Sequence, residues 1–253
     1  MKQHSRGTVF LSGGILVLLA LPTFVLGAEE RTAPNANRAN FCTAINTVGE
    51  KVSTKIAERE GEYSTHRTER GTKLDERFVK RDANRTDHRE EWDQHRDEWF
   101  SKLEARASTS AQQAAVAKFK SDMTTAVSVR RTAVDSAISG YRSAVLQAIK
   151  DRQSAVDGAI TTFKSETDAA LLKAKADCAI EGAVPRTIRE TYVQSMKSAR
   201  EKFATAIKAL DKKKDTLKAL HDSRKATIEK TVTDFKTSAE KARNELKAAL
   251  KAS

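Results

Sequence analysis

Proline is almost missing from this chain. Of 253 residues only three are Pro, ten are Gly, two are Cys and two are Trp, and aromatics make up 6%. The prolines are Pro22, Pro34 and Pro185, so the stretches 35–184 and 186–253 contain none. Runs without Pro, and rich in Ala, Lys, Glu and Arg, favour long helices. The shortage of turn residues excludes a fold built from many short strands. No Gly-rich loop follows an apolar β-branched run, which argues against a βαβ nucleotide-binding enzyme. Apolar residues still recur with a strict period, and full disorder does not produce that.

What is present begins with an export pattern. Lys2 and Arg6 precede an apolar run from Val9 to Leu26, which ends in the small residues Gly27 and Ala28. A basic start, an apolar stretch broken by Pro22 and a small-residue end make a secretory signal peptide over residues 1–28. The alternative is an uncleaved N-terminal anchor, since the run approaches the length of a membrane span. Residues 29–38 read as a flexible leader, and 39–253 as a single domain. The mature protein is expected in the periplasm or outside the cell.

Three long helical segments follow, at about 39–107, 110–181 and 186–251. In the first, the apolar seam is read through Phe41, Ile45, Val48, Val52, Ile56, Tyr63, Leu74, Phe78, Trp92, Trp99 and Leu103. Arg59, Arg70, Arg81, Arg85 and His88 fill the gaps. Two near-identical heptads, HREEWDQ from His88 and HRDEWFS from His95, predict a coiled-coil face carrying His and Trp. Ser110 with Gln113 predicts a capping box for the second helix, and Thr187 with Glu190 one for the third. Gly182 suits a helix end and Pro185 a first helical turn.

The second segment repeats every eleven residues. FKSDMTTAVSV from Phe119 is followed by RRTAVDSAISG, YRSAVLQAIKD, RQSAVDGAITT and FKSETDAALLK. Eleven residues in three turns is close to the natural helical period, so this face runs nearly straight. Its first position alternates Phe119, Arg130, Tyr141, Arg152 and Phe163. Arg in that series predicts stems laid on apolar surface and guanidinium groups over rings. The third segment carries its seam on Ile188, Tyr192, Met196, Ala199, Phe203, Ile207 and Leu210. It continues through Leu217, Ile228, Val232, Phe235, Ala242, Leu246 and Leu250.

Each segment is about 100 Å long at 1.5 Å per residue. Short connections make antiparallel neighbours. The expected fold is all-α: an elongated antiparallel three-helix coiled-coil rod, monomeric because its outer faces are polar. One register places Phe119 near Trp99, Tyr141 near Phe78, Phe163 near Ile56 and Cys178 near Cys42. An intrachain disulfide Cys42–Cys178 follows, with intermolecular pairing as the rival.

The net charge is +12. Residues 184–253 hold eighteen Lys and Arg against nine Asp and Glu. Lys208, Lys212, Lys213, Lys214, Lys218, Arg224 and Lys225 are therefore the candidate contacts for a polyanion. The rival reading is a solvated lysine face. Nucleic acid is not the expected partner of an exported chain with little aromatic interleaving on its polar face. The expected partner is a protein or an anionic component of the cell envelope or surface. Membrane contact is expected only through the signal segment or weakly at a surface.

Chemistry-bearing constellations are sparse. His88, Glu91, His95 and Glu98 crowd three turns, but the Glu-x-x-x-His spacing lacks the second helix that a di-iron bundle needs. No metal, cofactor or catalytic set is expected, and the chain reads as non-enzymatic. The eleven-residue repeats are similar to the lipid-binding repeats of exchangeable apolipoproteins, over about sixty residues and without that family's Pro punctuation. A basic, exported helical chain is also similar to the periplasmic holdase chaperones, without their β-rich oligomerisation body. These resemblances imply, as the alternative to a spacer, tether or adhesive rod, a module binding lipid, unfolded clients or polyanions.

Overall fold

The computed structural model describes residues 41–211 and 214–252. The expected signal and leader, Lys212 and Lys213 lie outside the described residues. Every element within them is an α-helix: α1 (Phe41–Glu104), α2 (Ser110–Cys178), α3 (Pro185–Asp211) and α4 (Lys214–Ala252). The described part of the expected third helix lies in α3 and α4, on either side of Lys212 and Lys213. No strand occurs among the described residues, and none of these helices is long and apolar enough to cross a membrane.

Helix ends follow local chemistry. After Glu104 the chain tightens, with Arg106 N–H donating to Leu103 O and Ala107 N–H to Glu104 O. Thr109, rather than Ser110, caps α2: its Oγ1 accepts from Gln112 N–H at 3.2 Å. Gln112 Oε1 accepts in turn from the Ser108 backbone N–H. The cap therefore sits one residue earlier than Ser110 and Gln113 suggested, with Gln112 reaching back to Ser108 and Gln113 Nε2 donating to Ala107 O. After α2, Gly182 takes φ +76°, a left-handed conformation that glycine adopts without steric cost. Pro185 opens α3, where its missing N–H has no helical partner to lose. Glu190 accepts from Arg186 rather than closing a box with Thr187.

The described residues group into two compact units, 41–74 with 156–211 and 75–155 with 214–252. In the first unit, Phe41, Ile45, Ala170, Ala174, Ile188, Tyr192 and Met196 form one buried cluster. Ile56, Phe163 and Ala199 form a second. Gly49 is buried because α2 passes close by: a Cβ there would stand 2.5 Å from Leu171 Cδ2. In the second unit, Phe100, Val116, Phe119, Ala242 and Leu246 cluster at one end. Phe100 and Phe119 meet edge-on at 6.1 Å.

The eleven-residue pattern of α2 is the buried one. Phe119, Tyr141 and Phe163 are buried at its first position, and Val145, Val156 and Thr167 at its fifth. The same period also organises α1, which had been read in heptads. Phe41, Val52, Tyr63, Leu74, Arg85 and Arg96 are all buried or half-buried, and each lies eleven residues from the next. Beyond Phe78 the inward positions are Asp82, Arg85, Arg89, Asp93, Arg96, Phe100 and Leu103. Arg81, His88 and Trp92 are exposed, correcting the seam assigned to them, while Trp99 is half-exposed and keeps one edge against Phe119. Leu250 is exposed as well.

Candidate functional site

Ion pairs between α1 and α2 fall on a ladder with the same period. In the second unit, Asp82 accepts from Arg142 at 2.6 Å, Asp93 from Arg131 at 2.7 Å and Glu104 from Lys120 at 2.8 Å. The acids climb α1 in steps of eleven while the cations descend α2 in steps of eleven. A rung of opposite polarity, Arg89 to Asp135 at 2.8 Å, interleaves with them. In the first unit Glu60 accepts from Lys164 at 3.0 Å and Arg67 donates to Asp157 at 2.6 Å. The arginine rungs are bidentate, which is the strong and directional form of this contact.

The arginine rungs of the second unit are half-buried, so their charges shape one another. The Arg142 guanidinium holds the Asp82 carboxyl below its ordinary range. Arg131 does so for Asp93, and Arg89 for Asp135. Sequence reading missed this ladder. The signal was present, since acids at 82, 93 and 104 mirror cations at 120, 131 and 142. The Trp spacing points to a different inward face for α1 and hides it.

Guanidinium groups also cover rings, as the alternation of Arg and aromatics implied. Arg130 lies over Phe235 at 5.1 Å, Arg142 over Phe78 at 4.7 Å and Arg224 over Tyr141 at 4.3 Å.

The two cysteines are joined. Cys42 and Cys178 form a disulfide with Cα atoms 5.5 Å apart, across 136 residues of sequence. The bond ties the first turn of α1 to the last turn of α2, beside the Phe41–Tyr192 contact at 5.6 Å. Two other expected neighbours also meet: Trp99 lies edge-on to Phe119 at 5.5 Å, and Phe163 shares a cluster with Ile56.

The basic residues proposed for polyanion contact do not present a uniform row. Lys218 is held by Asp222 at 2.6 Å, and Lys225 lies 3.8 Å from Glu229. Arg224 is drawn over Tyr141 instead of facing outward. Lys208 is exposed on α3. Helix α4 thus spends much of its positive charge on carboxylates one turn away, which weakens its pull on a distant anion.

Two other surfaces stand out in the second unit. A shallow groove of about 370 Å³ lies between α2 and α4. It is lined by Val129, Phe235, Lys118, Asp122, Arg130 and Glu245, among others. Lys118 is claimed by Asp122 and Glu245, both at 2.7 Å, which raise its pKa. The other surface is the exposed stripe His88, Trp92, His95 and Trp99 on α1. His88 Nδ1 stands 3.7 Å from Glu91 there. Among the described residues no three His, Cys, Asp or Glu side chains group as metal ligands.

Compared with known proteins, the chain matches no family model, no curated protein and no solved structure.

Proposed function

We propose that the mature chain is an exported, non-enzymatic helical spacer: an antiparallel coiled-coil rod that holds two attachments apart or tethers one to a surface. The observation that carries this reading is the eleven-residue ion ladder along α1 and α2, helices of 64 and 69 residues. Most small binding proteins enclose a concave, mainly apolar pocket. Here sequence is spent instead on keeping two very long helices in a fixed register. Polar rungs suit that task, because a slipped register would leave partly buried charges unpaired.

Export rests on residues 1–28 and on the disulfide, since structural disulfides persist in oxidising compartments. The test is to recover the native protein from the cell that makes it. The expected result is protein in the exported fraction, with an N-terminus near Ala28 and no titratable thiol. Protein retained in the cytoplasm with both thiols free overturns the reading.

A further inference from the structure

Charge in the second unit is balanced except at one end, where α1 passes into α2 and α4 finishes. Lys118 of α2 donates to Glu245 of α4 there. Phe100, Val116, Phe119 and Leu246 share one cluster at the same level, so the three helices reach this end together. Residues 102–120 and 243–252 hold seven Lys and Arg against two acids, Glu104 and Glu245. The rest of the described unit holds eighteen against seventeen. Both acids are already engaged, Glu104 by Lys120 at 2.8 Å and Glu245 by Lys118 at 2.7 Å. Lys102, Arg106, Arg243, Lys247 and Lys251 are left exposed, with no ion pair among the described residues.

This end departs from the pattern of α4. Lys218, Lys225, Lys230 and Lys241 each face an acid four residues on. Past Glu245 that pairing stops. Arg243, Lys247 and Lys251 follow at four-residue steps, so like charges stand one turn apart, which weakens a helix. The helix dipole favours a cation in the last turn and accounts for Lys251, but it fades before Arg243. The helix termini here, one N-terminus and two C-termini, leave about half a negative charge, small beside five cations. Asp122 is held by Lys118. Glu98 and Glu240 stand about one turn farther from the end than Lys102 and Arg243.

We propose that this end of the second unit is a docking surface for a membrane carrying anionic phospholipid headgroups. The five cations come from α1, the turn after it and α4, so they surround an end instead of lining a track. A flat array of phosphates meets all of them at once, whereas a threaded polyanion follows a row or groove. From Arg243 to Lys251 the cations span about 12 Å along the helix axis, comparable with the screening length at physiological salt. Leu250, 38% exposed, stands between Lys247 and Lys251 in sequence and offers an apolar side chain to the headgroup layer. A cluster of about four to eight Lys or Arg is the size that anionic headgroups bind. The contact is peripheral, since none of the described helices is long and apolar enough to cross a membrane. The proposal uses only the second unit and does not depend on the spacer reading.

The test is co-sedimentation of the mature full chain with vesicles of equimolar phosphatidylglycerol and phosphatidylcholine. Vesicles of phosphatidylcholine alone and a heparin resin are the other arms. The expected result is binding to the anionic vesicles only, with release as salt is raised. The variant R106Q/K247Q/K251Q should weaken that binding about tenfold or more. The variant K80Q/K150Q/K230Q removes the same charge from exposed sites of the second unit away from this end. It should change the binding less than about twofold. Circular dichroism should show both variants as helical as the parent. Four outcomes overturn the proposal: no binding to the anionic vesicles, equal binding to the neutral ones, equal loss in the two variants, or retention on heparin at salt concentrations that release the protein from vesicles. The last would make a soluble polyanion the occupant.

Discussion

Arg142 illustrates how single side chains serve two purposes in this protein. Its guanidinium forks onto Asp82 and lies over the ring of Phe78. Removing the acid leaves a partly buried cation above an aromatic face. Asp82→Ala should therefore cost about 1 kcal/mol by chemical denaturation, the modest size reflecting a carboxylate still open to screening solvent. A double-mutant cycle with Arg142→Ala should show a coupling of similar size, and strict additivity would remove the ladder from the account. Acid tests the same rungs together. Asp82, Asp93 and Asp135 have folded pKa values lowered below the ordinary 3.8. Their contribution is complete above that value and is lost as pH falls through the lowered ones. Stability followed by circular dichroism should decline below about pH 4, with little change from there to neutrality.

Within α1 the inward face is decided by one-residue distinctions. Phe100 is 1% exposed and central to its cluster, whereas Trp92 projects outward. Phe100→Ala should cost about 3–4 kcal/mol, and Trp92→Ala less than about 0.5 kcal/mol. The reverse order would restore the heptad face as the core. The sequence made the helices readable through missing prolines, and α2 through apolar repeats that coincide with its buried positions. Register was readable at three points because Cys42, Ile56 and Trp99 each had one distinctive partner. The second half of α1 was not, since its inward residues are mostly Asp and Arg. Hydrophobic patterning weights Trp heavily and ion pairs hardly at all, so it selected the side carrying His88 and Trp92.

At the scale of the whole molecule, the disulfide and the helix lengths carry the reading. Closing a loop of 136 residues is worth about 4–5 kcal/mol by chain entropy. Cys178→Ser should lower the melting temperature of the exported protein by about 10–20 °C, while leaving its helicity at room temperature intact. An unchanged melting temperature would show that the ladder and apolar clusters suffice alone. The proposed spacer role requires long helices that stay extended. A helix of 69 residues, the length of α2, spans about 100 Å. Small-angle X-ray scattering of the mature, oxidised chain tests this most directly. If the proposed rod holds, the maximum dimension should be near 100 Å and the radius of gyration about 30 Å. A radius near the roughly 17 Å of a compact domain of this size would contradict it.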